Sequence, residues 1–443
     1  MIQQMEMRDI TAKIVERAQA LGAQQAVASA AEVREVAVQW RDGAVEKLTE
    51  ATTRGVGVEL FVDGRYASVS SSDLRPEALE LFLADAVTMT RALAPDPFRT
   101  LPDPQLYLGQ TTLDLQLADP DYAELTAVRR RELAQELEQA ARQTPDAERI
   151  LSVTTSVSDS QSQSWRVHSD GFVGQKAGTS YWLGAEVSMQ DPDGRRPEDA
   201  CYAGGRWRED VPQPLGIGQE AALRTRKRIG SQKPQSGKMT LLIDNRAAGR
   251  VVSSLLGGLS AAGWQQKRSF LEGKLGETIG NELLDITDDP LVVRGLGSRR
   301  FDGEGIASKE MALFSQGVLK NGFIDTYYGK KLGMPPTTGR MSNLRWKLGN
   351  LNRAALLEQI GDGMLVTGFL GGNANGTTGD FSWGVQGFAI RNGQLAEAVG
   401  EANISGNHLT LWQNLAAVGD DPYAYSALRT PSLVFEGVEL AGK

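Results

Sequence analysis

The sequence predicts an α+β protein with an N-terminal α/β domain of antiparallel meanders and flanking helices, and a C-terminal β-rich domain of barrel or sandwich type. Three observations lead to this fold class. In the first half, segments that alternate with period two are separated by Asp-Gly turns and flanked by segments of helical period. In the second half, glycine is dense and the apolar runs are short. A polar segment at 230–237 separates the two halves.

The first half begins with a helix, which apolar residues at helical spacing predict over residues 6–22. Alternating segments then predict an antiparallel meander. The meander turns at Arg41-Asp42-Gly43 and again at Asp63-Gly64, where the residue types are typical of tight hairpins. A helix over 74–92 follows, and prolines after it indicate an extended connection.

The next part of the chain repeats this order. A helix is predicted over 119–142, with Asp119 as its cap and Pro120 in its first position. Alternating strands follow, and then a helix over 214–230. The Asp-Gly turns and glycine-punctuated strands of the two parts are similar, which predicts two copies of a helix-plus-meander unit. The predicted strands cover 149–158, 164–168, 171–189 and 199–207.

The polar segment predicts a domain boundary. We assign residues 1–232 to the N-terminal domain and 238–443 to the C-terminal domain. Within the latter, a helix rich in small residues is predicted over 247–262. Short strands beyond it favour a barrel or sandwich, and they cover 291–293, 310–314, 364–370, 382–390 and 397–399.

Charge and cysteine content restrict the function classes. The chain has 443 residues and a formal net charge of -8, which disfavours binding to nucleic acid. A single cysteine, Cys201, allows no intrachain disulfide and predicts a cytoplasmic location. The N-terminus lacks the pattern of a secretory signal, and no apolar stretch has the length of a membrane helix. We therefore expect neither nucleic acid nor a membrane as a partner.

Residues that could carry chemistry are few. No zinc, P-loop, dinucleotide or serine-nucleophile motif occurs in the sequence. The chain has 2 histidines. His168 precedes a predicted turn and is interpreted as a structural residue. His408 follows a glycine loop and is the better functional candidate, although a structural role is the simpler interpretation for it too.

Glycines are concentrated between residues 368 and 387. Because glycine tolerates positive φ and close backbone approach, this density is typical of a barrel with bulges and tight turns. A second interpretation is a sheet edge that stays open so that an extended peptide can add to it as a strand. The residues alone leave both interpretations open.

Several segments resemble the TldD/PmbA family. They follow one another through nearly the whole chain, and their combination is specific although each is short. They are RGVGV at 54–58, SFLEGKLGE at 269–277, FDGEG at 301–305, GVLKNG at 317–322, YGKKLG at 328–333, TGDFS at 378–382 and GDDP at 419–422. The resemblance implies an N-terminal α/β domain, a β-rich C-terminal domain, and a peptidase assembled from two homologous subunits.

In this family the TldD-type subunit carries zinc on a His-Glu-x-x-x-His helix and a later cysteine, and the TldE (PmbA) type lacks this site. The corresponding helix here places Val252, Ser253 and Gly257 where His, Glu and His stand, and no His or Glu occurs at 247–263. The segment 406–409 also lacks the late cysteine. Valine, serine and glycine cannot hold zinc or take a proton from water. The resemblance therefore implies the TldE type, with no cofactor in this chain and zinc in the partner subunit.

The helix then needs another role. Its small residues give it a smooth face, which we expect to pack within the C-terminal core, while nearby loops complete a chamber shared with the partner. A bulky residue such as tryptophan at Gly257 is expected to disturb folding or assembly. The face comprises Ser253, Ser254, Gly257, Gly258, Ser260 and Ala261.

The resemblance implies a non-catalytic subunit of a heterodimeric zinc metallopeptidase that acts on small or unfolded peptides and on leader peptides. Its partners would be a homologous TldD-type zinc subunit and an extended peptide, and a homodimer is plausible when the chain is alone. Two alternatives remain: a regulator of the gyrase-modulator type, and an independent hydrolase that uses carboxylates or His408. The residues expected at the peptide or the partner are Gly371, Gly372, Asn373, Asn407 and His408.

Overall fold

The computed structural model describes residues 7–443. The first part of the chain, up to residue 227, forms one antiparallel sheet with helices packed against it. Residue 6, the predicted start of the first helix, lies outside the described residues, as do residues 1–5 of the predicted N-terminal domain. The elements are α1 (Met7–Ala20), β1 (Gln25–Arg41), β2 (Ala44–Val62), β3 (Arg65–Ser71), α2 (Pro76–Arg91), α3 (Ala127–Arg142), β4 (Ile150–His168), β5 (Val173–Met189), β6 (Glu198–Gly205) and α4 (Pro214–Lys227).

The sheet has six strands in the order β3-β2-β1-β4-β5-β6. Each half contributes a helix, three meandering strands and a second helix, and the first strands of the two halves, β1 and β4, pair at the centre. Helices α1 and α2 cover the first half, and α3 and α4 cover the second. The two halves therefore share one order of elements, and the duplication of a helix-plus-meander unit stays a proposal.

Two predictions for this part need correction. The helix predicted from Asp119 begins at Ala127, where the Thr126 side chain accepts a hydrogen bond from the Arg129 N–H. Pro120 therefore precedes a short 3-10 turn at Tyr122–Glu124 and is not the first helical residue. The strands predicted as 149–158 and 164–168 are one strand, β4, because its pairing with β1 continues without interruption through the polar residues between them.

The C-terminal part contains a barrel and a smaller sheet. Its elements are β7 (Gly237–Ile243), α5 (Asn245–Gly257), α6 (Ala261–Gln265), β8 (Ile286–Asp289), β9 (Met311–Ser315), β10 (Val318–Leu319), α7 (Thr326–Leu332), β11 (Asn343–Trp346), α8 (Arg353–Ile360), β12 (Gly363–Ala374), β13 (Asp380–Arg391), β14 (Gln394–Asn407), α9 (His408–Gln413), β15 (Leu415–Val418) and β16 (Leu433–Ala441).

The barrel explains the density of glycine. Strands β14, β13, β12, β7 and β16 pair in that order, and β14 pairs again with β16, so that these strands form a closed ring. Register shifts in the β12–β13 and β13–β14 pairs mark bulges, which bend strands enough to close a small barrel. The predicted α+β class with a barrel-like C-terminal domain is confirmed.

Two local predictions differ from the fold. Residues 291–293 are not a strand, and the pairing strand β8 lies just before them, where Asp288 and Asp289 are buried in the small sheet. The helix predicted over 247–262 ends at Gly257, and α6 begins after a break. The polar segment before β7 joins the two parts, and its Gln232 exchanges backbone hydrogen bonds with residues 398 and 400 of the barrel. The boundary between 232 and 238 stays a proposal.

Within residues 7–443, no helix combines the length and the apolar character that crossing a membrane requires.

Candidate functional site

Helix α5 is the element on which the resemblance places the altered zinc motif. Asp244 caps it by accepting a hydrogen bond from the Arg246 N–H at 3.0 Å. Its aliphatic face, which includes Val252 and Leu255, is buried in the main core of the barrel domain. Val252 therefore has no access to solvent or to a substrate.

The small residues of α5 do not share one environment. Ser253 and Gly257 are exposed, and a methyl group built at Gly257 meets none of the described atoms within 4 Å. Gly258 is buried, and a methyl group there lies 3.0 Å from Leu271 and 3.1 Å from Phe270. The prediction that the small face packs in the core is thus right for Gly258 and Ala261 but wrong for Ser253 and Gly257.

Ser254, between these residues, contacts His408. The Ser254 Oγ lies 2.8 Å from His408 Nε2, and the Trp412 Nε1–H donates to His408 Nδ1 at 3.2 Å. Because the indole can only donate, Nδ1 is the acceptor, and the neutral ring carries its proton on Nε2 and donates it to the serine. Both ring nitrogens of His408 are therefore engaged within the protein.

Aromatic rings enclose His408, which is 1% exposed. Phe270 stacks on it with a centroid distance of 5.3 Å and an interplanar angle of 12°, and Phe381 and Trp383 pack around it. This burial lowers the pKa of His408 to about 4. The imidazole is neutral at pH 7 and has no free nitrogen with which to act as a base.

Asn407 joins three segments. Its side-chain oxygen caps α9 by accepting from the Leu409 N–H, and its amide donates to Thr378 O and Asp380 Oδ1, each at 2.9 Å. These bonds hold the loop at 375–379 against the start of α9. They also leave the amide little capacity for a further ligand.

The glycines of β12 lie at an open part of the barrel rim. Within residues 7–443, β12 pairs with β13 only beyond Val366, because its parallel pairing with β7 ends there. Gly371, Gly372 and Asn373 are exposed on this segment, and φ is +115° at Gly371 and +103° at Gly372. Arg250 of α5 donates to Gly372 O at 3.2 Å, so the exposed face of α5 lies beside the open edge.

The predicted residues thus divide into two groups. Gly371, Gly372 and Asn373 share a surface with the exposed face of α5. His408 is buried among aromatic rings, and Asn407 is half-buried at the start of α9. Sequence reasoning placed Ser254 on a packing face and missed its contact with His408, since no short motif relates residues 154 positions apart.

The other histidine, His168, is also buried and bonded. Arg166 Nε donates to its Nε2 at 2.9 Å, and Tyr107 Oη lies 3.0 Å from its Nδ1. Desolvation lowers its pKa to about 3. These contacts agree with the structural role predicted for it.

The positions of the altered zinc motif carry no zinc ligands. Val252, Ser253 and Gly257 offer no nitrogen, thiolate or carboxylate, and the described residues contain no cluster of three or more His, Cys, Asp or Glu side chains that could hold a metal ion. The residues present on α5 and at 406–409 therefore do not fit the metal of the resembled family.

Three family models match the chain. They describe domain 1, the central domain and the C-terminal domain of PmbA/TldA metallopeptidases, and they match residues 26–90, 116–229 and 236–442. The curated Metalloprotease PmbA of Escherichia coli O157:H7 is 29% identical over 92% of this chain and 90% of its own length.

Solved structures share the fold. A Bacteroides thetaiotaomicron protein described as a candidate modulator of DNA gyrase superposes with a TM-score of 0.95 at 38% identity, over 100% of both chains. TldE from Thermococcus kodakarensis superposes with a TM-score of 0.84 at 18% identity, over 98% of this chain and 100% of its own. Fold and sequence thus define a protein of a metallopeptidase class. The chain belongs to the PmbA/TldD family, as the resemblance implied.

The low pKa of buried His408 predicts that the folded protein loses stability in acid. The folded-state pKa of His408, about 4, lies below its ordinary value of 6.5. The unfolded chain therefore binds a proton that the folded chain does not, and stability falls as the pH drops from about 6.5 to 4. His408→Gln is expected to remove about 1–3 kcal/mol of this decrease.

Urea unfolding at several pH values measures the effect. The variant retains His168, so its stability should still decline in acid, but with a smaller slope than that of the unmodified protein. Equal slopes for the two proteins between pH 6.5 and 4 would show that His408 titrates normally in the folded state.

Proposed function

We propose that this chain is the non-catalytic subunit of a two-subunit zinc metallopeptidase and acts with a homologous TldD-type subunit that carries the zinc. The observation that carries the proposal is the contact between α5 and the start of α9. The resemblance assigns the metal helix and the late cysteine to these two segments. Here they meet through the hydrogen bond between Ser254 and His408, covered by Phe270.

This contact supports an accessory role because it fills the position with bonded, neutral groups. Zinc needs deprotonated or neutral donors with an open lone pair, and a hydrolytic site also needs a base for water. His408 offers neither, since its nitrogens are engaged with Ser254 and Trp412. For the same reason we do not favour an independent hydrolase based on His408.

The substrate we propose is an extended peptide. A strand edge that lacks its second neighbour can accept a peptide through backbone hydrogen bonds, with little demand on side-chain identity. The part of β12 beyond Val366 is such an edge, and Gly371, Gly372 and Asn373 are among its exposed residues. Ser253 and Gly257 of α5 supply a smooth surface beside it.

Peptide cleavage by the purified chain, alone and mixed with a TldD-type subunit from the same organism, tests the proposal. We expect cleavage only in the mixture, and its loss on addition of a zinc chelator. The mass of each sample by light scattering shows in parallel whether the chains form a heterodimer or a homodimer. Cleavage by the chain alone would contradict the proposal, and its loss in His408→Ala would then identify the base.

A further inference from the structure

A cavity of about 750 Å³ lies where the first sheet meets the segment 298–301 of the C-terminal part. Its floor is formed by β4 and β5. Ser164 pairs with Lys176 across these strands, and Ser162 pairs with Gly178, so that two hydroxyl groups and an ammonium group share one face. This cavity is separate from the surface formed by α5 and β12.

Four cationic side chains line the cavity: Lys176, Arg206, Arg299 and Arg300. Among the described residues, no carboxylate oxygen lies within the 4.0 Å ion-pair distance of any of them. Asp114 is the one acidic residue in the described lining, and its Oδ1 accepts from the Gln116 N–H. The cavity is therefore locally positive in a protein whose net charge is -8.

Neutral groups are the hydrogen-bond partners of these cations. Lys176 Nζ donates to Asp302 O at 3.2 Å and lies 4.3 Å from the centroid of the Phe301 ring. Arg206 donates to the carbonyl oxygens of residues 179, 295 and 296. Arg299 donates to two carbonyls and a hydroxyl, and its Nε is buried without any partner. These bonds fix the cations in place. Asp302 acts on Lys176 and, with Asp288, on Arg299 from a distance, but neither carboxylate forms an ion pair with these cations.

Lys176, Arg206 and Arg299 are half-buried, and the partial loss of water around their charges is energetically unfavourable. Desolvation, assisted by the nearby arginines, lowers the pKa of Lys176 to about 8, although Asp302 acts in the opposite direction. Desolvation also lowers the pKa of Arg206 and of Arg299. A bound anion would offset this penalty, because charge-assisted hydrogen bonds are strongest where water is excluded.

Two glycines of β5 make room for the side chains around Lys176. A methyl group on Gly178 would lie 3.2 Å from the Arg206 guanidinium, and one on Gly174 would lie 2.4 Å from the Phe301 ring. Both residues flank Lys176 on the same face of β5. Their lack of side chains lets the arginine and the aromatic ring approach the ammonium group. The lining also includes the apolar side chains of Leu115, Leu117 and Trp207.

We propose that this cavity binds a small organic anion, with a carboxylate or phosphate group held by Lys176, Arg299 and Arg300 and an apolar body against Trp207 and Phe301. The inference does not depend on the proposed peptidase role. A carboxylate ligand would be typical of a short peptide or an amino-acid derivative, whereas a phosphate ligand would be typical of a phosphorylated metabolite.

Calorimetric titration of the full chain at pH 7 and low ionic strength tests the proposal. The probes are N-acetylphenylalanine, its uncharged amide, phenyl phosphate and inorganic phosphate. We expect at least one of the three anions to bind and the amide not to bind. Preference for the carboxylate or for the phosphate distinguishes the two sources of ligand.

Two variants locate the site. Lys176→Gln and Arg300→Gln are each expected to weaken binding about tenfold, whereas the exposed Arg131→Gln should leave the affinity unchanged. Since Arg300 is exposed, its variant remains informative even if Lys176→Gln affects folding. Without the anion, Lys176→Met should be at least as stable as the unmodified protein, because it removes a half-buried charge that has no ion pair. Absence of binding by all three anions, or equal affinity in the three glutamine variants, would overturn the proposal.

Discussion

Replacing Asp159 with alanine is expected to destabilise the protein by about 3–5 kcal/mol, because the change leaves a buried guanidinium without its counterion. The side chains of Arg130 on α3 and Asp159 on β4 are 3% and 0% exposed. Arg130 donates to both carboxylate oxygens, at 2.6 and 2.8 Å, and the Tyr122 hydroxyl donates to the same carboxylate at 2.6 Å. The pair joins the helical layer to the centre of the first sheet.

Urea unfolding of single and double variants measures the effect and separates its causes. The double variant Arg130→Met with Asp159→Leu should recover most of the lost stability, since apolar side chains of similar volume often replace a buried ion pair at little cost. Arg129→Ala, next along the helix, is the matched control. It removes an exposed pair with Glu136 and should cost less than about 1 kcal/mol. A cost below 1 kcal/mol for Asp159→Ala would show that water reaches the pair.

The sequence could not have predicted this pair. Arg130 lies in a helix whose polar residues look uniformly solvated, and Asp159 lies in a serine- and glutamine-rich stretch that interrupts the alternation. Periodicity identified α3, but it broke β4 into two strands at this polar stretch. The strand is continuous because β1 and β5 pair with both of its edges, and such pairing depends on residues far away in the chain.

In the barrel, by contrast, the sequence pointed to the right segment but not to a single structure for it. The dense glycines between 368 and 387 left two interpretations open, a bulged barrel and an open strand edge. The fold contains both features in one segment, since β12 closes the barrel up to Val366 and has a free edge beyond it. Local composition identified the segment. The point at which β12 stops closing the barrel and becomes a free edge depends on where its pairing with β7 ends.

The sequence allowed the segments of the candidate site to be predicted, but not the contacts between their side chains. Resemblance alone identified α5 as the altered metal helix and the segment 406–409 as its distant counterpart. That Ser254 and not Ser253 contacts His408 depends on which face of α5 turns toward the barrel. The buried run Val251, Val252 and Leu255 fixes that face, and its environment follows from the closed barrel.

The orientation of α5 about its axis also places Gly257 on the exposed face of the helix. Gly257→Trp is expected to leave the isolated chain folded with nearly unchanged thermal stability, because Gly257 is exposed and a methyl group built there meets no atom of residues 7–443 within 4 Å. If this face lines the chamber shared with the zinc subunit, the indole will obstruct it. We then expect cleavage by the mixture to fall by at least about tenfold.

Gly216→Trp provides the matched control, since Gly216 is also an exposed helical glycine with no atom within 4 Å of its added methyl group. It lies on α4 of the first part and should support cleavage fully. Comparing cleavage with the mass of the complex separates lost assembly from a blocked chamber, and either result places Gly257 at the shared surface. Unchanged cleavage with Gly257→Trp would mean that the exposed face of α5 points away from both the partner and the peptide, and the open edge of β12 beside it would then lose its support as the peptide site.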